Sequence, residues 1–314
     1  MNKISTREAY GKALAEIGND SQIFVLDADL QCCTRTEKFG ALYPNRSRNV
    51  GIAEANMIGM AAGLATCGKT VFVNSFAMFT AGRAFEQIRN SVAYPHLNVK
   101  VIGTHAGVSV GKDGATHQCI EDIALMRSIP GMVVLSPCDA NETQFMTKAM
   151  ARYEGPCYMR LGRLEVEQCT NHLPNYRFEW GKAAQLREGK DLTIIATGLM
   201  VQEAMKAADA LKELGLDVRV LDMHTIKPLD EEAVLRAAEE TKCIVTAEEA
   251  NVLGGLGGAV AEVVSAHCPV PVIRVGVQDQ FGKSGDPYAL LERYHLTYQD
   301  IVQAAKQAIG MKEQ

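Results

Sequence analysis

The stretch GIAEANMIGMAAGLATCGKTVFVNSF, Gly51–Phe76, decides the fold. Gly51–Ala65 has helix composition, and Thr70–Phe76 carries the β-branched and aromatic residues of a strand. The alternation continues on both sides. Ile23–Asp29 (IFVLDAD) is a short β-branched run, Ala81–Ser91 reads as a helix, and Asn98–Gly107 is a strand running into a glycine-rich loop. Met132–Pro137 is a further strand, and Asp139 is placed to cap a helix over Ala140–Tyr153. Apolar strands alternating with helices indicate a parallel sheet covered on both faces. Near Pro174 the periodicity breaks. It restarts with strands at Asp191–Gly198, Asp217–Met223, Lys242–Glu249 and Val270–Val277, and a helix at Val201–Leu214. The expected class is α/β, with two consecutive domains, each a mostly parallel sheet flanked by helices. They span residues 1–165 and 190–314, joined by a linker at 166–189.

Composition bounds the function. A chain of 314 residues, 47% hydrophobic and 22% charged, can bury two cores without disulfides or structural metals. A net charge of -5 with no Lys/Arg block argues against nucleic acid and anionic membrane as partners. The N-terminus lacks the apolar core of a signal peptide, and no apolar run reaches the roughly 18 residues of a membrane span. The 9 cysteines are scattered without CxxC spacing, and they read as reduced thiols in a cytoplasmic protein.

Between Gly51 and Ala65 the only ionisable side chain is Glu54. It could be solvated in a first helical turn, where the macrodipole favours a negative charge by about 0.3–1 kcal/mol. It could be a buried general acid or base, or a carboxylate satisfied by a ligand's donor. The last two readings need a pocket, and two neighbouring stretches offer parts of one. Phe76 and Phe79 sit three apart where a strand meets a helix, a spacing that can project both rings to one side as a slot for a heterocycle, or simply pack them in a core. The loop GTHAGVSVGKDGATHQ, Gly103–Gln118, follows a strand and places His105, Asp113 and His117 among glycines. Those groups move protons near neutral pH and donate to oxygens. No third ligand completes a tetrahedral set there, so no metal is expected on them. Arg160, Arg163 and Arg7 offer guanidinium forks for phosphate or carboxylate, or for ordinary ion pairs.

Together these stretches resemble the thiamine-diphosphate enzymes of the transketolase family. The resemblance rests on NVGIAEANMIGMAAGLA, NSFAMFTAGRAFEQIRNSV, THAGVSVGKDGATHQ and IPGMVVLSPCDANE, in family order. It implies the pyrimidine-binding domain followed by the C-terminal domain. It implies that Glu54 holds a ring nitrogen of the cofactor's aminopyrimidine and that Phe76 and Phe79 hold the ring. It also implies that Asp29 and Leu30 reach a neighbouring active site, and that His105 and His117 contact the reacting centre. Asp113 would then read a substrate hydroxyl, and Arg160 and Arg7 would hold the substrate's phosphate. Two positions depart from the family pattern. Cys33 stands near an expected serine, and Gly82 near an expected third aromatic, which leaves the slot more open.

The family's GDG motif, which binds the diphosphate through Mg²⁺, is missing from the sequence. GGLGGAVAE, Gly254–Glu262, reads instead as a tight turn before a helix. The resemblance therefore implies a split transketolase. This chain is its C-terminal subunit, an N-terminal subunit holds the diphosphate and Mg²⁺, and the assembly is α₂β₂. The implied reaction moves a two-carbon ketol unit from a ketose phosphate to an aldose phosphate. A deoxyxylulose-phosphate-synthase-like enzyme, the β subunit of a 2-oxo acid dehydrogenase and a non-catalytic regulatory subunit are the alternatives.

Overall fold

A computed structural model of the chain describes residues 3–174 and 176–312. Eight strands precede residue 170: β1 (Ile4–Ser5), β2 (Ile23–Asp27), β3 (Ser47–Asn49), β4 (Thr70–Phe76), β5 (Val99–Thr104), β6 (Val133–Leu135), β7 (Cys157–Arg160) and β8 (Glu165–Val166). Six follow: β9 (Ala184–Arg187), β10 (Leu192–Ala196), β11 (Val218–Asp222), β12 (Thr225–Lys227), β13 (Ile244–Asn251) and β14 (Val272–Val277).

The first sheet runs β12-β6-β7-β5-β4-β2-β3. All its pairings are parallel except that of β12, which joins antiparallel to β6. All of β4 is buried, as a central strand covered on both faces requires. Its side chains alternate between two cores. Val71 and Val73 pack with Met57, Ile58 and Ala61 of the helix Glu54–Thr66. Phe72 faces Tyr10 and Leu14 of the helix Thr6–Ile17, together with Met146 and Met150 of Ala140–Arg152. Asp139 caps that last helix by accepting from the Glu142 amide. The second sheet, β14-β13-β10-β11-β9, repeats the scheme. Ile194 packs with the helices Met200–Glu213 and Tyr298–Lys312, while Ile195 packs with Glu231–Thr241 and Leu256–His267.

Two features differ from the sequence expectation. The stretch read as a linker supplies β9, an antiparallel edge strand on β11. The helix expected over Ala81–Ser91 is π-helical over Met78–Arg83 and again over Ile88–Ala93. The Thr80 hydroxyl donates back to the Phe76 and Ala77 carbonyls, which competes with the normal ladder and loosens the first turn.

Candidate active site

The functional candidates gather at the carboxyl ends of the first sheet's strands, where parallel sheets expose their loops. Asp29 and Leu30 follow β2, Glu54 follows β3, Phe76 ends β4, His105 follows β5 and Arg163 follows β7. Three residues at this edge also carry backbone strain. Asp29, Arg35 and His105 adopt left-handed φ values of 64°, 67° and 56°, a conformation costing on the order of 1–3 kcal/mol for a non-glycine residue.

Glu54 is not solvated. It is 1% exposed at the first position of its helix. Two influences offset its charge: the helix N-terminus and Arg83, whose Nη1 donates to Oε2 at 2.7 Å. The same guanidinium lies over the Phe79 ring, 4.6 Å from Cζ to the centroid. Phe76 and Phe79 are stacked at 5.7 Å, and His105 stacks on Phe76 at 4.0 Å. His117 meets both phenyl rings edge-on, at 6.1 and 5.3 Å.

His105 is fixed in one role by its neighbours. Thr104 Oγ1 donates to the Ser75 carbonyl, so it accepts from His105 Nδ1–H at 3.0 Å. Nε2 therefore carries the lone pair, and Arg7 Nη1 faces it at 3.5 Å. Burial first, then the guanidinium charges of Arg7, Arg163 and Arg35, push the imidazole down to about 3. At neutral pH it is an uncharged acceptor ringed by cations.

Those three arginines form the rim of the site. Arg7 also donates to the Cys33 carbonyl at 2.9 Å, while its buried Nε has no partner. Arg163 donates to the Val110 carbonyl at 2.6 Å and lies 3.5 Å from Asp113. Asp113 itself is exposed on the loop. Asp29 is also exposed, its amide and carboxylate both bonded to the Asn49 side chain.

The family "Transketolase, pyrimidine binding domain" matches residues 2–168, and "Transketolase, C-terminal domain" matches residues 181–301. The chain belongs to the transketolase family. It is 45% identical to the 6-deoxy-6-sulfo-D-fructose transketolase subunit of Clostridium sp. strain MSTE9, over 98% of this chain and 95% of that protein. It is 39% identical to an apulose-4-phosphate transketolase subunit of Phocaeicola vulgatus, over 97% of each. A solved split-gene transketolase, an inactive β4 tetramer, superposes with a TM-score of 0.90 at 50% identity, covering 99% of this chain and 100% of that one. The chain is thus a transketolase-type C-terminal subunit with the two α/β domains expected.

Within this family, two residue expectations are corrected. The resemblance assigns Arg160 to a substrate phosphate. Its guanidinium is instead buried, and Nε donates to both Asp122 oxygens, at 3.2 and 2.9 Å. Its Nη2 donates to the Glu249 carbonyl of β13 at 2.6 Å, so it ties the two transketolase domains together. Arg163, three residues on, is the arginine that reaches the rim. Gly82 does not simply open the slot either, because Met78 packs against its Cα and Arg83 covers Phe79. Arg83 and Arg35 carry no assignment from the sequence. The spacing of Arg83 four residues after Phe79 is the available signal for the first. The Gly254–Gly258 turn behaves as expected. The Glu248 carboxylate accepts from the Leu256 and Gly257 amides at 2.8 Å each, so an acid already fills that helix N-terminus.

Proposed function

We propose that this chain is the C-terminal subunit of a two-chain, thiamine-diphosphate-dependent transketolase. It would move a two-carbon ketol unit between sugars that end in an anionic group. The observation that carries the reading is Glu54, a buried carboxylate at a helix head, linked through one planar cation to the face of Phe79. A buried acid beside stacked aromatic rings is a donor set that fits an aminopyrimidine. Glu54 would hold a ring nitrogen, and Phe76 and Phe79 would hold the ring face. Thiamine diphosphate, when bound, supplies a stabilised carbanion able to attack carbonyl carbon and cleave the adjacent carbon–carbon bond.

The chain's own residues supply the rest. His105 Nε2, held neutral, accepts a hydrogen bond from a substrate hydroxyl, and His117 presents a second imidazole beside the same rings. Asp113 reads a hydroxyl at the rim. Arg7 and Arg163, with Arg35 behind them, hold a phosphate or sulfonate. An anionic tail agrees with the sulfosugar and sugar-phosphate names carried by the two relatives. Asp29 and Leu30 reach the neighbouring site of an α₂β₂ assembly. Among the described residues the one converging set of metal-type donors is Cys138, Glu142 and Asp222. It lies beside β6 and β11, toward the far edge of the first sheet, so Mg²⁺ and the diphosphate fall to the N-terminal subunit.

The test is reconstitution with the polypeptide that carries the GDG motif, followed by product analysis with a ketose phosphate, a ketose sulfonate and pyruvate. Ketol transfer that depends on both chains supports the reading, as does a loss of about 10²-fold or more in kcat for Glu54→Ala. A Glu54→Ala complex that keeps most of its activity would falsify the role of the acid. Use of pyruvate in place of ketoses would replace transketolase by one of the neighbouring thiamine chemistries.

A further inference from the structure

Arg83 makes two contacts with one planar group. In its plane, Nη1 donates to Glu54 Oε2 at 2.7 Å. Its Cζ also lies over the Phe79 ring, 4.6 Å from the centroid. A donor to Glu54 and a planar group over one ring of the aromatic pair are the two contacts that the proposed function asks of an aminopyrimidine. Guanidinium is planar, delocalised and stacks on aromatic rings as a heterocycle does. One face of Phe79 and one carboxylate oxygen do not serve two such groups at once.

The local structure makes the arginine removable. Its side chain is 51% exposed while that of Glu54 is 1% exposed, so the charge it satisfies is interior but its own route out is open. It ends the π-helical turn Met78–Arg83, directly after Gly82. An extra residue in a turn rotates the chain beyond it, and such turns recur at functional sites.

We propose that Arg83 is a placeholder: its guanidinium occupies the seat of the cofactor's aminopyrimidine and swings into solvent or onto the partner subunit when the cofactor enters. The inference rests on the thiamine-diphosphate reading of the site. Arg83 then selects against loading. It keeps Glu54 satisfied in the unloaded chain, and the cofactor binds only to the fraction of molecules in which the arginine has left.

The test is the affinity of the two-chain complex for thiamine diphosphate with saturating Mg²⁺, measured by titration calorimetry and not by turnover. Deleting the placeholder, Arg83→Ala, tightens binding by about tenfold, the order expected for one half-exposed ion pair plus one cation–π contact. Arg83→Lys falls between, because an ammonium pairs with Glu54 but does not stack. Arg83→Gln keeps a neutral donor at the carboxylate and serves where the alanine variant does not fold. It too binds more tightly than the parent. Unchanged or weaker binding in the Arg83→Ala and Arg83→Gln complexes overturns the proposal and makes Arg83 a support of the loaded site. A parent complex that binds no thiamine diphosphate at any concentration overturns the functional reading itself, and this inference with it.

Discussion

Arg160 and Arg163 differ by three positions, and their replacement separates a structural cation from a substrate cation. Arg160→Met keeps the length of the side chain and removes the charge. Asp122, 0% exposed, is then left with the Tyr158 hydroxyl, which donates at 2.7 Å, as its remaining partner. Breaking a buried pair so that one charge stays behind costs about 3–5 kcal/mol. Against a total of about 5–15 kcal/mol for a folded domain, that is a large fraction. The bond from Nη2 to the Glu249 carbonyl goes with it, and so does a tie between the domains. Urea unfolding of the isolated chain should show the loss directly. Adding Asp122→Asn should recover most of it, because the stranded charge is gone. In the two-chain enzyme, KM for the anionic sugar should follow the stability loss and show no separate effect. A variant as stable as the parent, with KM alone raised, would refute the structural assignment and return Arg160 to the substrate.

Arg163→Ala should do the reverse: KM for a phosphate- or sulfonate-bearing sugar rises about tenfold or more, and the urea midpoint barely moves, since its exposed pair with Asp113 contributes about 0–1 kcal/mol. A uniform loss with an uncharged sugar of the same length would count against it. The seam between the domains predicts a pH effect. Burial first, then the charge of Glu142, holds the Asp222 carboxyl well above the usual carboxylate range, and its two oxygens lack protein partners. The unfolded chain releases that proton near pH ~4 while the folded chain holds it to a higher pH, so stability falls as pH rises above that point. Asp222→Asn removes this pH dependence. As pH rises above ~4 the variant should lose less stability than the parent. Parallel stability curves for the two proteins would sink the assignment.

Most of the fold was legible because buried parallel strands announce themselves. Runs such as TVFVNSF are apolar on both faces, and Asp139 precedes its helix with the one side chain that caps it well. The candidate site was legible for a related reason. Phe76, His105 and Glu54 each stand at or just past a strand end, and a parallel sheet brings such positions to one edge. The features that sequence did not show depend on partners far away. Arg160 is the last residue of β7, and the acid that captures it lies on the helix Asp122–Ser128. Nothing local distinguishes it from Arg163. Residues 184–187 pair with β11, more than thirty positions later, so their strand character comes from the sheet and not from their own mixed pattern. The π turn at Met78–Arg83 arises from a single threonine bonding backwards, a choice that helix composition does not reveal.

The second domain contributes no named site residue, yet it controls the loop that carries three of them. Glu249 accepts from the Ser109 amide at 2.6 Å, and Gln118 Nε2 donates to the Lys283 carbonyl at 2.9 Å. Ser284 donates to the Lys112 carbonyl at 2.6 Å. These ties lie between His105 and His117 and directly after the latter. Gly107 shows how close the fit is, because a Cβ there would collide with the Glu249 carboxylate. A loop held only by its own ends would relax the left-handed φ of 56° at His105, which costs on the order of 1–3 kcal/mol. Clamped along its length by β13 and by Lys283 and Ser284, it keeps that backbone, and with it the direction of Nε2 toward the arginine rim. The pairing of these two domains in one chain thus has a physical reason: the imidazoles are on the first, and the rigidity that aims them is on the second.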